Sequence, residues 1–145
     1  MPRPVVQVTA LEFWAPGRPA PQGSKRHVGN GRMLEMSKYV KPWRTAVEAA
    51  ALAAKPAGWV PFDEPLWLRV AFYIPRPARP KFDRPATSPD LSKLVRATED
   101  AITTAGVWVD DSRVVSTLSE EFWAGDRGPG AFIRVSTEEL RKGAA

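Results

Sequence analysis

The stretch "PLWLRVAFYIP" (65–75) alternates between two faces along its whole length. Leu66, Leu68, Val70, Phe72 and Ile74 fall on one side, and Trp67, Arg69, Ala71 and Tyr73 on the other. A period of two in β-branched and aromatic residues predicts a sheet strand, and its wholly apolar face needs a covering layer. Two segments have the helical spacing to supply that cover. In residues 38–58, Tyr39, Trp43, Val47, Ala50, Ala51 and Ala54 recur at helical intervals. Ser37 is available as a cap, the regular part is expected from near Pro42, and Gly58 closes it. In residues 88–105, Leu91, Leu94, Val95, Thr98, Ala101, Ile102 and Ala105 share an arc of about 120° at 3.6 residues per turn. Asp90, Lys93, Arg96 and Asp100 occupy a neighbouring arc. Ser88 is expected to cap this helix, with Pro89 in its first position and Gly106 as its stop.

Further strands are expected at 5–17, 113–123 and 131–136, and a short helix in the tail "TEELRKGAA". Residues 18–37 are rich in Gly, Pro and basic side chains, with a "GNG" turn that suits a small hairpin. Residues 76–89, "RPARPKFDRPATSP", carry four prolines and four basic residues. They read as a stiff, exposed, cationic loop. The order β, loop, α, β, basic loop, α, β, β contains no repeat and no linker. It predicts one α/β (α+β) domain over 1–145, a mixed sheet packed by two main helices.

Cysteine is absent, which removes disulfides, thiolate catalysis and cysteine-based zinc sites. No apolar run approaches the roughly 20 residues that span a bilayer, and "MPRPVVQVTA" has no hydrophobic signal core. A cytoplasmic protein with no membrane partner is expected. The formal net charge is +5, unevenly placed: residues 1–50 hold eight Lys/Arg against three acids, residues 101–145 five against seven. A basic first half and an acidic second half fit a protein that holds a polyanion near a metal centre. They also fit a surface kept basic for solubility.

The acids raise the sharper question. Asp90 opens the second helix, and Asp110 and Asp111 follow its end in "GVWVDDSRVV". Each has an ordinary explanation, Asp90 as a carboxylate favourable to the helix dipole and the pair as a solvated turn. A helix of this length holds its ends about 25 Å apart, so spacing does not make the three acids converge. The basic residues Arg76, Arg79, Lys81 and Arg84 suit phosphate contacts or plain solubility. So do Lys25 and Arg26. His27 reads as a loop residue, and Trp108 as a wall beside the Asp pair or a surface for DNA bases.

The stretch "DLSKLVRATEDAITTAGVWVDDSRVV" (90–115) resembles the signature of the RusA family of Holliday-junction resolvases, small endonucleases frequent in phages. The matches are Asp90, Lys93, Leu94, Arg96, Asp100, Gly106, Trp108, Asp110, Asp111, Arg113 and Val114. Upstream, "PAPQGSKRHVGNGR" and "VKPWRTAVEAAA" are similar to the basic loop and first helix of phage members. The resemblance implies a RusA-like homodimer that nicks branched DNA symmetrically in the cytoplasm, of the bacterial host for a phage-encoded chain. It implies Mg2+ (Mn2+ as substitute) held by Asp90 and Asp111 with Asp110 close by, and no small-molecule cofactor. Asp90, Asp110, Asp111 and Arg96 become the implied catalytic set, with Arg96 where relatives place a lysine. Lys93 and the loop cations become the DNA-binding set. One position departs: Ser92 stands where the family carries a second Asp. A hydroxyl is a weak neutral donor beside an anionic carboxylate, so impaired activity or a purely DNA-binding role is the alternative. Glu99, about 10 Å from Ser92 along the helix, is no obvious replacement; Asp100, nearer the Asp90 side, is the better candidate for a substitute or a supporting role.

Overall fold

The computed structural model describes residues 8–21 and 38–138. Strand β1 covers Ala10–Pro16 and helix α1 Val40–Ala54. Strand β2 covers Leu66–Ile74 and helix α2 Leu91–Thr104. After a single 3-10 turn at Asp111–Arg113 come β3, Val114–Trp123, and β4, Gly130–Ser136. The four strands form one mixed sheet in the order β1-β4-β2-β3. β4 runs antiparallel to both of its neighbours, and β2 and β3 are parallel. Parallel neighbours need a crossover, and α2 with the basic loop before it provides one. The α+β fold with a mixed sheet and two helices is therefore as expected. Among the described residues no helix is long and apolar enough to cross a membrane.

The apolar face of β2 lies under the helices: Leu66, Leu68, Val70, Phe72 and Ile74 are all buried. Trp43, Val47 and Ala51 come down from α1, and Leu94, Ala97, Thr98, Ala101 and Ile102 from α2. The Trp43 ring meets Phe72 with centroids 6.4 Å apart. The opposite face carries no helix among the described residues. There Tyr73 stacks on Phe122 at 5.4 Å, and the Arg127 guanidinium lies 3.9 Å over the Trp14 ring.

Several boundaries differ from the sequence reading: β1 is shorter than 5–17, β4 starts one residue earlier, and three others have a local cause. Helix α1 stops at Ala54 because Pro56 forces Lys55 into an extended conformation, φ −68° and ψ 126°. Helix α2 is capped by Asp90, not Ser88. The Asp90 carbonyl accepts from the Lys93 and Leu94 amides at 3.1 Å, and the Ser88–Pro89 peptide is cis. Strand β3 begins one residue late because the 3-10 turn absorbs Arg113. Gly106 ends α2 as expected, at φ +74°, where a side chain would be strained. Ser37, most of the 18–37 segment and most of the tail lie outside the described residues.

Candidate active site

The crossover decides where the acids go. β3 is parallel to β2, so its end, Glu121–Trp123, lies beside Phe72–Ile74. Helix α2 runs back from that end, and its start is therefore next to the end of β3. Asp90 belongs to this end of the unit. Asp110 and Asp111 belong to the other, where α2 finishes and β3 begins.

At the first end, Asp90 uses its backbone for capping and makes no side-chain capping bond. Its exposed carboxylate is left with a loose ion pair, Lys93 Nζ at 3.7 Å from Oδ2. The neighbour is Glu121. Its ladder partner Phe72 points into the core, so Glu121 also faces the helix layer. Glu121 is half-buried, and its Oε2 is sealed from solvent with no hydrogen-bond partner among the described residues. Burial first, and then the charge of Asp90, push the Glu121 carboxyl up to about 7, against the pull of Arg84. Arg84 Nε donates to the Glu121 carbonyl oxygen at 2.9 Å, and Nη2 to Glu120 Oε2 at 3.1 Å. Its guanidinium also lies 4.2 Å over the Phe122 ring. Nearby, Trp123 Nε1 donates to the Phe82 carbonyl oxygen at 2.9 Å.

At the second end, Asp110 Oδ2 accepts from the Ser112 amide at 3.0 Å. Hydrogen bonding from Ser112, side chain first, holds the Asp110 carboxyl below its ordinary range. Arg113 Nε donates to Asp63 Oδ1 at 2.8 Å, which fastens the turn to the strand entry. Asp111 is exposed and faces Glu99 on α2. Burial, then Asp111 and Asp100, push the half-buried Glu99 up to about 7, while Arg96 opposes them. Trp108 is buried behind this end and donates from Nε1 to Thr103 Oγ1 at 2.7 Å. It packs the wall and is closed to DNA bases.

Within one chain, Asp90 and Asp111 do not share a cluster. Helix α2, about 20 Å long at 1.5 Å per residue, stands between the two ends. Among the described residues no group of three or more His, Cys, Asp or Glu is placed to hold a metal ion. Ser92 and Arg96 are exposed on α2, and Arg76, Arg79 and Lys81 are exposed on the loop. Arg84 is engaged on β3 and Lys93 with Asp90. Lys25, Arg26 and His27 lie outside the described residues. Within one chain Asp100 lies eight residues along α2 from Ser92, about 12 Å away, next to Glu99. The carboxylate beside Asp90 is Glu121, which sequence reasoning passed over. Its signal was available only through the parallel register of β2 and β3.

Chemically, each end pairs an exposed carboxylate with a half-buried one that burial and like charge hold near neutrality. Such a pair suits a hard divalent cation, which takes anionic oxygens and relieves their repulsion. The orphaned Glu121 oxygen fits that demand at the Asp90 end.

No curated protein matches the chain. The family model for Endodeoxyribonuclease RusA matches residues 16–136, from the end of β1 through β4 and so across both acidic ends. With most of its 145 residues inside that match, the chain belongs to the RusA family of endodeoxyribonucleases.

Proposed function

We propose that the protein is a divalent-metal-dependent endonuclease that resolves four-way (Holliday) junctions and other branched DNA by paired symmetric nicks, acting as a homodimer in the cytoplasm. One observation carries the reading: in a RusA-family chain, the two acidic ends lie at opposite ends of β3, and β3 is an edge strand of the sheet among the described residues. An outer strand presents unpaired backbone groups that another strand satisfies. Its exposed Val115 and Leu118 add apolar surface for the same contact. Antiparallel pairing of two β3 margins about a two-fold axis sets the Asp110–Asp111 turn of one copy beside the Asp90 end of the other. Two equivalent sites result, which is what two symmetric nicks require.

In this reading Asp90, Asp110 and Asp111 hold Mg2+, or Mn2+ in its place. When bound, the cation supplies Lewis-acid stabilisation of the phosphate and an activated water. Arg96 adds positive charge where the pentavalent phosphorus gathers negative charge. Arg76, Arg79 and Lys81 contact phosphates, together with Lys25 and Arg26. Arg84 is reassigned to holding the loop on β3, because three interactions already engage it.

A synthetic four-way junction labelled on each strand tests the reading. Paired nicks are expected with Mg2+ or Mn2+ and none with EDTA. Asp90→Asn and Asp111→Asn should each reduce cleavage at least about 100-fold and leave junction binding nearly unchanged. Ser92 favours a second reading, a branched-DNA-binding protein without chemistry. Tight, salt-sensitive junction binding with no cleavage in either metal would establish it in place of the first.

A further inference from the structure

Ser92 leaves the metal end of α2 one carboxylate short of the family pattern, and the structure places another carboxylate at the same end from a different element. We infer that Glu121 of β3 is a ligand of the divalent cation, together with Asp90, and replaces the acid that is missing at position 92. The inference rests on the metal-dependent reading above.

Four observations converge on Glu121. Its register opposite Phe72 turns it toward α2, not toward the open face of the sheet. The Asp90 charge acts on it, so the two carboxylates share one locality. Its Oε2 is sealed from solvent and accepts no hydrogen bond from any described residue. A carboxylate oxygen in that condition is costly unless something cationic takes it up. Among the described residues Arg84 is the cation that acts on this carboxyl, but its hydrogen bonds go elsewhere. Its Nε goes to the Glu121 backbone carbonyl, and its Nη2 to the side chain of Glu120. Arg84 thereby fixes the backbone that carries Glu121 and leaves its Oε2 without a hydrogen bond. Asp90 is similarly prepared, because capping is done by its carbonyl and its side chain makes no capping bond.

The chemistry of the exchange is conservative. An Asp at position 92 would reach the metal from the first turn of α2. A Glu on the neighbouring strand is one methylene longer and offers the same two anionic oxygens. Magnesium binds through one or two carboxylates and completes its shell with water and phosphate oxygens. Asp90 and Glu121 from one chain meet that requirement without Ser92.

The test is calorimetric titration of the full-length protein with Mn2+ alone, in the absence of DNA. Glu121→Gln keeps the shape and removes the anionic donor, and at least a tenfold loss of Mn2+ affinity is expected. Ser92→Asp placed on the Glu121→Gln background should recover most of that loss, which a merely structural role for Glu121 would not allow. Far-UV circular dichroism and a melting curve on each variant verify the fold. Unchanged Mn2+ affinity in a folded Glu121→Gln variant overturns the inference. So does failure of Ser92→Asp to recover affinity, and so does absence of Mn2+ binding by the parent protein. The arms separate the two claims. Junction cleavage with Mn2+ affinity indifferent to Glu121 sinks the ligand and spares the nuclease. Mn2+ affinity that depends on Glu121, with no cleavage of branched DNA, does the reverse.

Discussion

Trp43 Nε1 donates to Thr98 Oγ1 at 3.3 Å, and Thr98 Oγ1 donates in turn to the Leu94 carbonyl at 2.8 Å. This relay joins α1 to α2 inside the core, where an unpaired indole N–H would be expensive. Thr98→Val removes the acceptor and should cost about 1–3 kcal/mol. Trp43→Ala empties a buried ring and should cost about 3–5 kcal/mol. Urea denaturation of both variants measures the two values. A Thr98→Val variant as stable as the parent would mean that the bond contributes nothing.

The two half-buried acids give the metal-free protein an unusual pH response. Glu99 and Glu121 titrate near 7 when folded and near 4.5 when unfolded. Between those values the folded chain binds more protons than the unfolded chain, so stability falls as pH rises through the window. The loss is on the order of 1 kcal/mol per group once partial solvent screening is allowed for. Denaturation in EDTA at pH 5 and pH 8 should show it. Glu99→Gln should remove about half. A curve that rises with pH from these groups contradicts the burial assigned to them.

Pairing through β3 predicts a dimer that charged residues on its margin disrupt. Val115 and Leu118 are exposed, and the double change Val115→Lys with Leu118→Lys puts four like charges into a two-fold contact. Sedimentation velocity should show a monomer of unchanged fold, and junction nicking should fall with it. A double variant that stays dimeric places the interface elsewhere.

The cationic loop makes a quantitative prediction about salt. Arg76, Arg79 and Lys81 are exposed, whereas Arg84 is held on β3. Each of the first three, changed to Ala, should lower the magnitude of the log–log salt slope of junction binding by about 0.9. Arg84→Ala should instead loosen the loop and lower the melting temperature.

The resemblance to the RusA signature implies an acid at position 92, and placing one there is a direct probe of activity. Ser92→Asp in the otherwise unchanged chain should raise cleavage with little change in junction affinity. Single-turnover rates at saturating protein read the difference.

Much of this architecture could be read from the residues themselves. The alternation in 65–75 fixed both the strand and its buried side, and the apolar arc on 88–105 matches the face that α2 buries. These are local signals, repeated every two or 3.6 residues. The start of α2 was misplaced because Ser88 and Pro89 form a good capping pair on paper, while the chain uses Asp90. What lay beyond reach was non-local. Nothing in 113–123 states that it pairs parallel to β2, and only that pairing puts Glu121 by Asp90 and leaves Asp111 by Glu99. The motif residues were recognisable by kind, but their distribution over two ends of one chain was not.

The fastening of the proline-rich loop at Phe82 and Arg84 affects how the protein meets its substrate. Four prolines already restrict the segment, and the two anchors remove much of the remaining wandering. The ordering entropy is therefore largely settled during folding, before any nucleic acid arrives. In the proposed reading, a nucleic-acid backbone would then meet a loop whose main chain is already ordered, and less of the binding energy would go into ordering it.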